Sequence, residues 1–544
     1  MPISTRPAAA LALPLAVAAS LLVAPAARGA PLQSGEPDRV HAPPATSATD
    51  DSAAALHAAL RAYRERHEAE ILRELADFLA IPNVAADTAG IARNVEALRA
   101  MLARRGIESR VLPGPSGASP AVYGELRVPG ARRTVMLYAH YDGQPVIPEQ
   151  WATPAWTPTL RDAPLDSGGR VIPLPPAGAR PPAAARLYAR SASDDKGPIV
   201  AMLTALDALR ASGRAPGVNL KFFFEGEEEA GSEHLQEVLA RNAALLAADV
   251  WLFADGPRHA SGAMQVVYGA RGVLGAQLTV YGPARPLHSG HYGNWAPNPA
   301  AMLARLLASM RDDEGRVTIP GFADSVRAPT DADRAAVAAM PNTEAELAAS
   351  LALGRTEGGG ERLPALLLAP AMNVTGLRAG GVGAQTANAI PATATAALDF
   401  RLVPAQTPDG VRHAVEAHLR ARGWHVVHEE PSAEVRRAHA RVARLDWGEG
   451  YRGVRTDLAL PVARAVAQVV GEAVDGPVVR LPILGGSLPL AHFEDALHVP
   501  LVVLPTVNAD NNQHAANENL RLQNLWEAVE IFGQLMGRLG AAWR

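Results

Sequence analysis

Five places in the sequence carry side chains of the kind that hold metal ions: His140-Tyr141-Asp142, Asp194-Asp195, Glu225-Gly226-Glu227-Glu228-Glu229, Asp255, and Asn511-Asn512-Gln513-His514. Each alone has an ordinary explanation. A His-x-Asp is commonly a surface pair, a glutamate run a solvated turn, an Asp-Asp before a helix an N-cap with favourable dipole charge, and a single Asp a turn residue. Their placement sets them apart, because four of the five follow short apolar runs and the other precedes a helical stretch. Carboxylates gathered in one place repel unless protonated or paired with cations. Imidazole and carboxylate donors together suit a pair of borderline divalent ions such as Zn²⁺ or Mn²⁺, and such pairs serve hydrolysis.

The elements that must position these residues are legible in the apolar pattern. The runs Val135-Met136-Leu137-Tyr138-Ala139, 218–224, Val250-Trp251-Leu252-Phe253-Ala254 and 500–506 are short and unalternated. That character suits strands buried on both faces of a mostly parallel sheet. Apolar residues at helical spacing predict helices over 53–79 (Leu56, Leu60, Tyr63, Leu72, Leu75), over 91–102, and along Ile199, Met202, Leu203, Leu206 and Leu209. The alternation of strand and helix predicts an α/β sandwich. In an open parallel sheet the ligand site lies off the carboxyl ends of the strands, which is where these runs deliver the polar residues. The middle of the chain differs, with better-alternated strands at 274–280 and 393–402 and helices near 299–310 and 410–422. This predicts a separate two-layer α+β unit over 269–431, inserted between two parts of the first domain, 53–268 and 432–544. The Pro, Gly and Ala of 160–185 predict a surface loop.

Composition removes several alternatives. Of 544 residues 48% are apolar, the net charge is -4 and no basic stripe appears, so a nucleic-acid partner is not expected. Cysteine is absent, which excludes disulfides, thiolate metal sites and a cysteine nucleophile. Lys196 and Lys221 are the only lysines among 51 basic residues, which suggests a specific need for the ammonium beside Asp194-Asp195. At the N-terminus Arg6 precedes an uncharged Ala/Leu/Val run that ends in small residues. We read 1–30 as a secretory signal peptide and 31–52 as a disordered tether, so the protein is expected to be exported, periplasmic or secreted. No later segment reaches transmembrane length, so no membrane span is expected once the signal is removed.

Several short segments together resemble a known family. They are Ala139-His140-Tyr141-Asp142, Ser193-Asp194-Asp195-Lys196-Gly197, Glu225-Gly226-Glu227-Glu228-Glu229-Ala230-Gly231-Ser232, Ala254-Asp255, Leu287-His288-Ser289-Gly290, Phe400-Arg401-Leu402-Val403-Pro404, Gly485-Gly486-Ser487-Leu488-Pro489 and His514-Ala515-Ala516-Asn517-Glu518. In this order they resemble the di-zinc exopeptidases and amidohydrolases that include carnosinase, aminoacylase, glutamate carboxypeptidase and succinyl-diaminopimelate desuccinylase. The resemblance implies a phosphorylase/hydrolase-like α/β sandwich interrupted by a lid domain that also makes a homodimer. It implies two divalent ions, Zn²⁺ with Mn²⁺ or Co²⁺ as alternatives, with Asp194 shared between them, Glu229 and His514 completing one site, and His140 and Asp255 the other. Asp142 would orient His140, and Glu228 would be the general base that passes a proton to the leaving amine. His288 would reach across the dimer to the substrate carbonyl. Arg401, with Gly486 and Ser487, would grip a terminal carboxylate, and Asn388 would be a further substrate contact.

The family usually has Gly-Arg-Gly where this chain has Ala189-Arg190-Ser191, and an Asp where Pro286 stands. The stretch Ile319-Pro320-Gly321-Phe322, followed by Asp324 to Arg327, resembles the carnosinase-like dipeptidase branch. The implied substrate is a dipeptide or short peptide with a free carboxylate, with an N-acyl amino acid as the alternative. A catalytically silent peptide-binding protein on the same fold would have lost a ligand or the base, and all of them are present.

Overall fold

The computed structural model describes residues 48–115 and 117–543. The expected signal peptide and most of the expected tether lie outside the described residues. The first helix, Ala48–Leu79, begins inside the stretch whose composition predicts a tether. It is followed by helix Thr88–Arg104, capped by the Asp87 side chain on the Gly90 amide.

The four apolar runs are adjacent strands of one sheet. Its eight strands lie in the order Glu108–Leu112, Ala121–Leu126, Asn219–Glu225, Thr134–His140, Val250–Phe253, Leu501–Val503, Gln265–Val267, Val479–Leu481. The central four pair in parallel, while the first two strands are antiparallel to their neighbours, as is Gln265–Val267 to Leu501–Val503. Alternate side chains of the runs enter two cores. Val135, Leu137, Phe222 and Phe224 pack on one side under helices Ala48–Leu79, Lys196–Ala211 and Leu522–Ala542. Met136, Tyr138, Phe223, Trp251 and Phe253 pack on the other with Phe493. Burial on both faces explains why these strands show no polar alternation.

The second sheet is mostly antiparallel: Ala371–Arg378, Thr393–Leu402, Gly269–Tyr281, Val442–Tyr451, His425–Val427. Its alternation is visible in Thr393–Leu402, whose even-numbered residues are buried. Helices Pro299–Ala308 and Pro408–Ala421 cover that buried face through Leu303, Leu306, Val411, Val415 and Leu419. The boundary expected at residue 431 is corrected, because Val442–Tyr451 pairs along Gly269–Tyr281 and so extends the second sheet. The segment Leu484–Ser487 also runs beside the start of Gly269–Tyr281. The predicted loop 160–185 begins in a strand, since Thr159–Arg161, Arg186–Tyr188 and Asn519–Arg521 form a small third sheet. No described helix is long and apolar enough to cross a membrane.

Candidate metal centre

The central parallel strands end level with one another. His140 closes its strand opposite Glu225, and on its other side Tyr138 pairs with Phe253, two residues before Asp255. Asp194 arrives from just before helix Lys196–Ala211, and His514 from the loop between Leu501–Val503 and Asn519–Arg521. The result is two groups of ligand-type atoms, His140 with Asp194 and Asp255, and Asp194 with Glu229 and His514, each lying within 4.8 Å of one another. Asp194 belongs to both. Its Oδ1 is 2.9 Å from His140 Nε2 and its Oδ2 is 3.2 Å from His514 Nε2, which is also 3.2 Å from Glu229 Oε2. The five residues expected as ligands are thus brought together.

Without a cation this cluster is short of positive charge. Burial, and then the charge of Asp194, push Glu229 up to about 7 and Asp255 up to about 6. Burial pushes Glu228 well above the carboxylate range, and Asp255 and Glu229 add to it against the opposing pull of His140. Asp194 is itself buried, yet its hydrogen bonds with His140 and His514 hold it below the ordinary range. Its bond to His514 in turn lifts that imidazole to about 9. Buried carboxylates that would otherwise have to take up protons, arranged with two imidazoles as nitrogen and oxygen donors, fit a pair of divalent cations.

Asp142 supports both halves. Its Oδ1 lies 3.4 Å from His140 Nδ1, and its two carboxylate oxygens accept the backbone N–H groups of Glu228 and Glu229 at 3.1 and 3.0 Å. One buried carboxylate therefore fixes the imidazole and the turn that carries the expected base. The turn fits only because residue 226 is glycine: a Cβ there would stand 2.3 Å from the Tyr141 hydroxyl and 2.9 Å from the Pro120 carbonyl oxygen. Gln144 Nε2 donates to Glu229 Oε2 at 2.7 Å.

The loop that presents Asp194 is held by a residue to which sequence reasoning gave no role. The fully buried Glu518 accepts the backbone N–H groups of Ser191, Ser193 and Asp194, the Ser193 hydroxyl and Arg190 Nη1, all at 2.8 to 2.9 Å. Its sequence signal is a lone carboxylate after the uncharged Ala515-Ala516-Asn517. Ser191, where the family usually has glycine, adopts φ 64°, a conformation that favours glycine; its amide bond to Glu518 and the Asn83 amide on its hydroxyl hold it there. His514 itself has φ 60°. Lys196 is not part of the cluster: its buried ammonium donates to the carbonyls of Phe78 and Ile81 at 2.9 and 2.8 Å and lies over the Phe78 ring. The rare lysine ties the end of the first helix to the start of the helix behind Asp194.

The expected substrate residues fall into two places. Arg401 Nη1 donates to the Ser487 hydroxyl at 2.9 Å while its Nε holds Asp399, and Gly486 is exposed beside Ser487. Arg271, not anticipated, stands next to them, donating to the Gly485 carbonyl; burial and then Arg401 push its guanidinium down to about 10. His288 and Asn388 meet in a separate two-stranded ribbon, where Ala389 pairs with His288 and the Asn388 carbonyl accepts the Ser289 N–H. Both are exposed, and His288 contacts Gly290 and His291, with no contact to the metal-type cluster among the described residues.

Residues 136–538 match the model of peptidase family M20/M25/M40. A Cys-Gly metallodipeptidase of Schizosaccharomyces pombe is 25% identical over 86% of this chain and 95% of its own length. A Beta-Ala-His dipeptidase of Rattus norvegicus is 26% identical over 78% of this chain and 80% of its own. Among solved structures, an M20 family metallo-carboxypeptidase from Sulfolobus solfataricus superposes with a TM-score of 0.67 at 27% identity, covering 87% of this chain and 99% of that one.

Proposed function

We propose, from the premise that this chain belongs to peptidase family M20/M25/M40, that it is a zinc-dependent exopeptidase cleaving dipeptides or short peptides that end in a free carboxylate. The observation that carries this reading is the pair of ligand groups joined through Asp194, with Glu228 beside them. His140, Asp194 and Asp255 would hold one divalent cation, and Asp194, Glu229 and His514 the other. Cations bound there would supply the positive charge that keeps these carboxylates ionised, polarises the scissile carbonyl and makes water a better nucleophile.

Glu228 is the group in this chain placed to move the proton. Its carboxylate accepts it from the attacking water as the new carbon–oxygen bond forms, and returns it to the amine nitrogen as the carbon–nitrogen bond breaks. Asp142 holds the Glu228 amide, so the base has a fixed position relative to His140. Arg401 and the Ser487 hydroxyl offer the forked and single donors that suit a terminal carboxylate.

The exposed His288 and Asn388, out of contact with the cluster in their own chain, suit delivery by a second copy, which is the role we give to a homodimer built through the second sheet and its helices. Export to the periplasm or beyond rests on the N-terminal run alone. The test is metal content measured alongside hydrolysis of dipeptides and N-acyl amino acids, with a chelator control. Cleavage of N-acyl amino acids but not dipeptides would move the assignment to an amidohydrolase.

A further inference from the structure

One aromatic hydroxyl near the cluster has no task in this reaction. Tyr451 ends strand Val442–Tyr451 and pairs with Val273, which on its other side pairs with Arg401. Residues directly opposite one another across antiparallel strands share a face. Tyr451, Val273 and Arg401 therefore form one row, two strand spacings or roughly 9.6 Å across. The neighbouring Leu274, Phe400 and Leu402 point the other way, into the second sheet's own core. The row thus lies on the face where Arg401 meets Ser487.

From that row Tyr451 packs against the apolar cluster of the first sheet that contains Tyr138 and Phe253, with its ring 5.9 Å from that of His492. Glu228 borders the same cluster, in a small void shared with Tyr138, Phe253, Asp255 and Leu488. Burial lifts the Tyr451 hydroxyl to about 12, with Glu228 adding to the rise and Arg401 opposing it, so both groups act on it and it stays a neutral donor at any working pH. Among the described residues that hydroxyl meets no hydrogen-bond partner.

A dipeptide with its peptide bond at Glu228 and its carboxylate at Arg401 must lay its C-terminal residue across the space between them. We propose that Tyr451 binds that residue: its ring lies along it, and its hydroxyl donates to the carboxylate that Arg401 pairs with. This rests on the dipeptidase reading and adds to it a donor from the second sheet that recognises the free carboxylate.

The test compares wild type and Tyr451→Phe on one dipeptide and on its C-terminal amide. Losing a hydrogen bond to a charged group should raise KM for the free dipeptide about ten-fold and leave kcat within about two-fold. The two proteins should handle the amide alike. Tyr451→Ala, checked for an unchanged melting temperature, should also relax the preference among C-terminal side chains. An active wild type whose Tyr451→Phe variant keeps its KM, or loses equally on acid and amide, overturns the inference alone. A wild type that cleaves no dipeptide overturns the reading beneath it, and the inference with it.

Discussion

At the scale of single residues, some groups are proposed to act and others hold them in place. Glu228→Gln keeps the size of the side chain and removes the proton acceptor, so turnover should fall about 10² to 10⁴-fold while metal content is unchanged. Steady-state kinetics with metal analysis would check this, and full activity would remove Glu228 as the base. Glu518 is a holding residue. It is completely buried and its carboxylate gathers three backbone amides, a hydroxyl and the Arg190 guanidinium. Glu518→Ala leaves Arg190 buried without its partner and frees the loop that carries Asp194. It should cost about 3 to 5 kcal/mol in chemical denaturation and weaken metal binding about 10 to 100-fold. A variant that loses activity but keeps both stability and metal would place Glu518 in the chemistry instead.

At the scale of elements, the loop carrying His514 is secured from outside. Asp510 is held by Arg186, Asn508 and Arg521, and although partial burial works against ionisation these contacts bring its carboxyl down to about 2. A carboxyl depressed in the folded state adds stability above its unfolded value near 4. That contribution is lost as pH falls through about 2. The stability gap between wild type and Asp510→Asn should therefore be present at pH 7 and close between about pH 4 and pH 2, as read from urea midpoints. A gap that persists below pH 2 would contradict this.

Elements also decide what the sequence could reveal. Val135 to Ala139 and Phe222 to Phe224 announce strands because they are buried on both faces, and the residues after them announce a site because every parallel strand ends at the same edge. Val442–Tyr451 escapes notice because its sequence, VARLDWGEGY, carries charge and two glycines and becomes a strand only through the partner it finds in Gly269–Tyr281. Arg271, Glu518 and Tyr451 were illegible for a related reason: each acts on residues more than a hundred positions away, or across a sheet register that no local pattern encodes.

At the scale of the whole molecule, the proposed ligands and base would come from the strand ends and neighbouring loops of the first sheet, and the proposed donors for a carboxylate from the second sheet and the segment beside it. The protein stripped of metal should be sensitive to pH in a definite direction. Glu229 and Asp255 stand at about 7 and about 6 in the folded chain, above their unfolded values. The folded state then binds more protons than the unfolded one between those limits, so apo-protein stability should fall as pH rises from about 4 through about 7. Added divalent metal should flatten that slope; an apo-protein equally stable at pH 5 and pH 8 would contradict the clustering of charge. The most direct test of the central claim is metal analysis joined to hydrolysis, on protein lacking residues 1–30, with a chelator control and a panel of dipeptides. The expected result is two equivalents of divalent metal and dipeptide cleavage that chelator abolishes and metal restores. Folded protein that binds no metal, or that cleaves dipeptides undiminished in chelator, would contradict it.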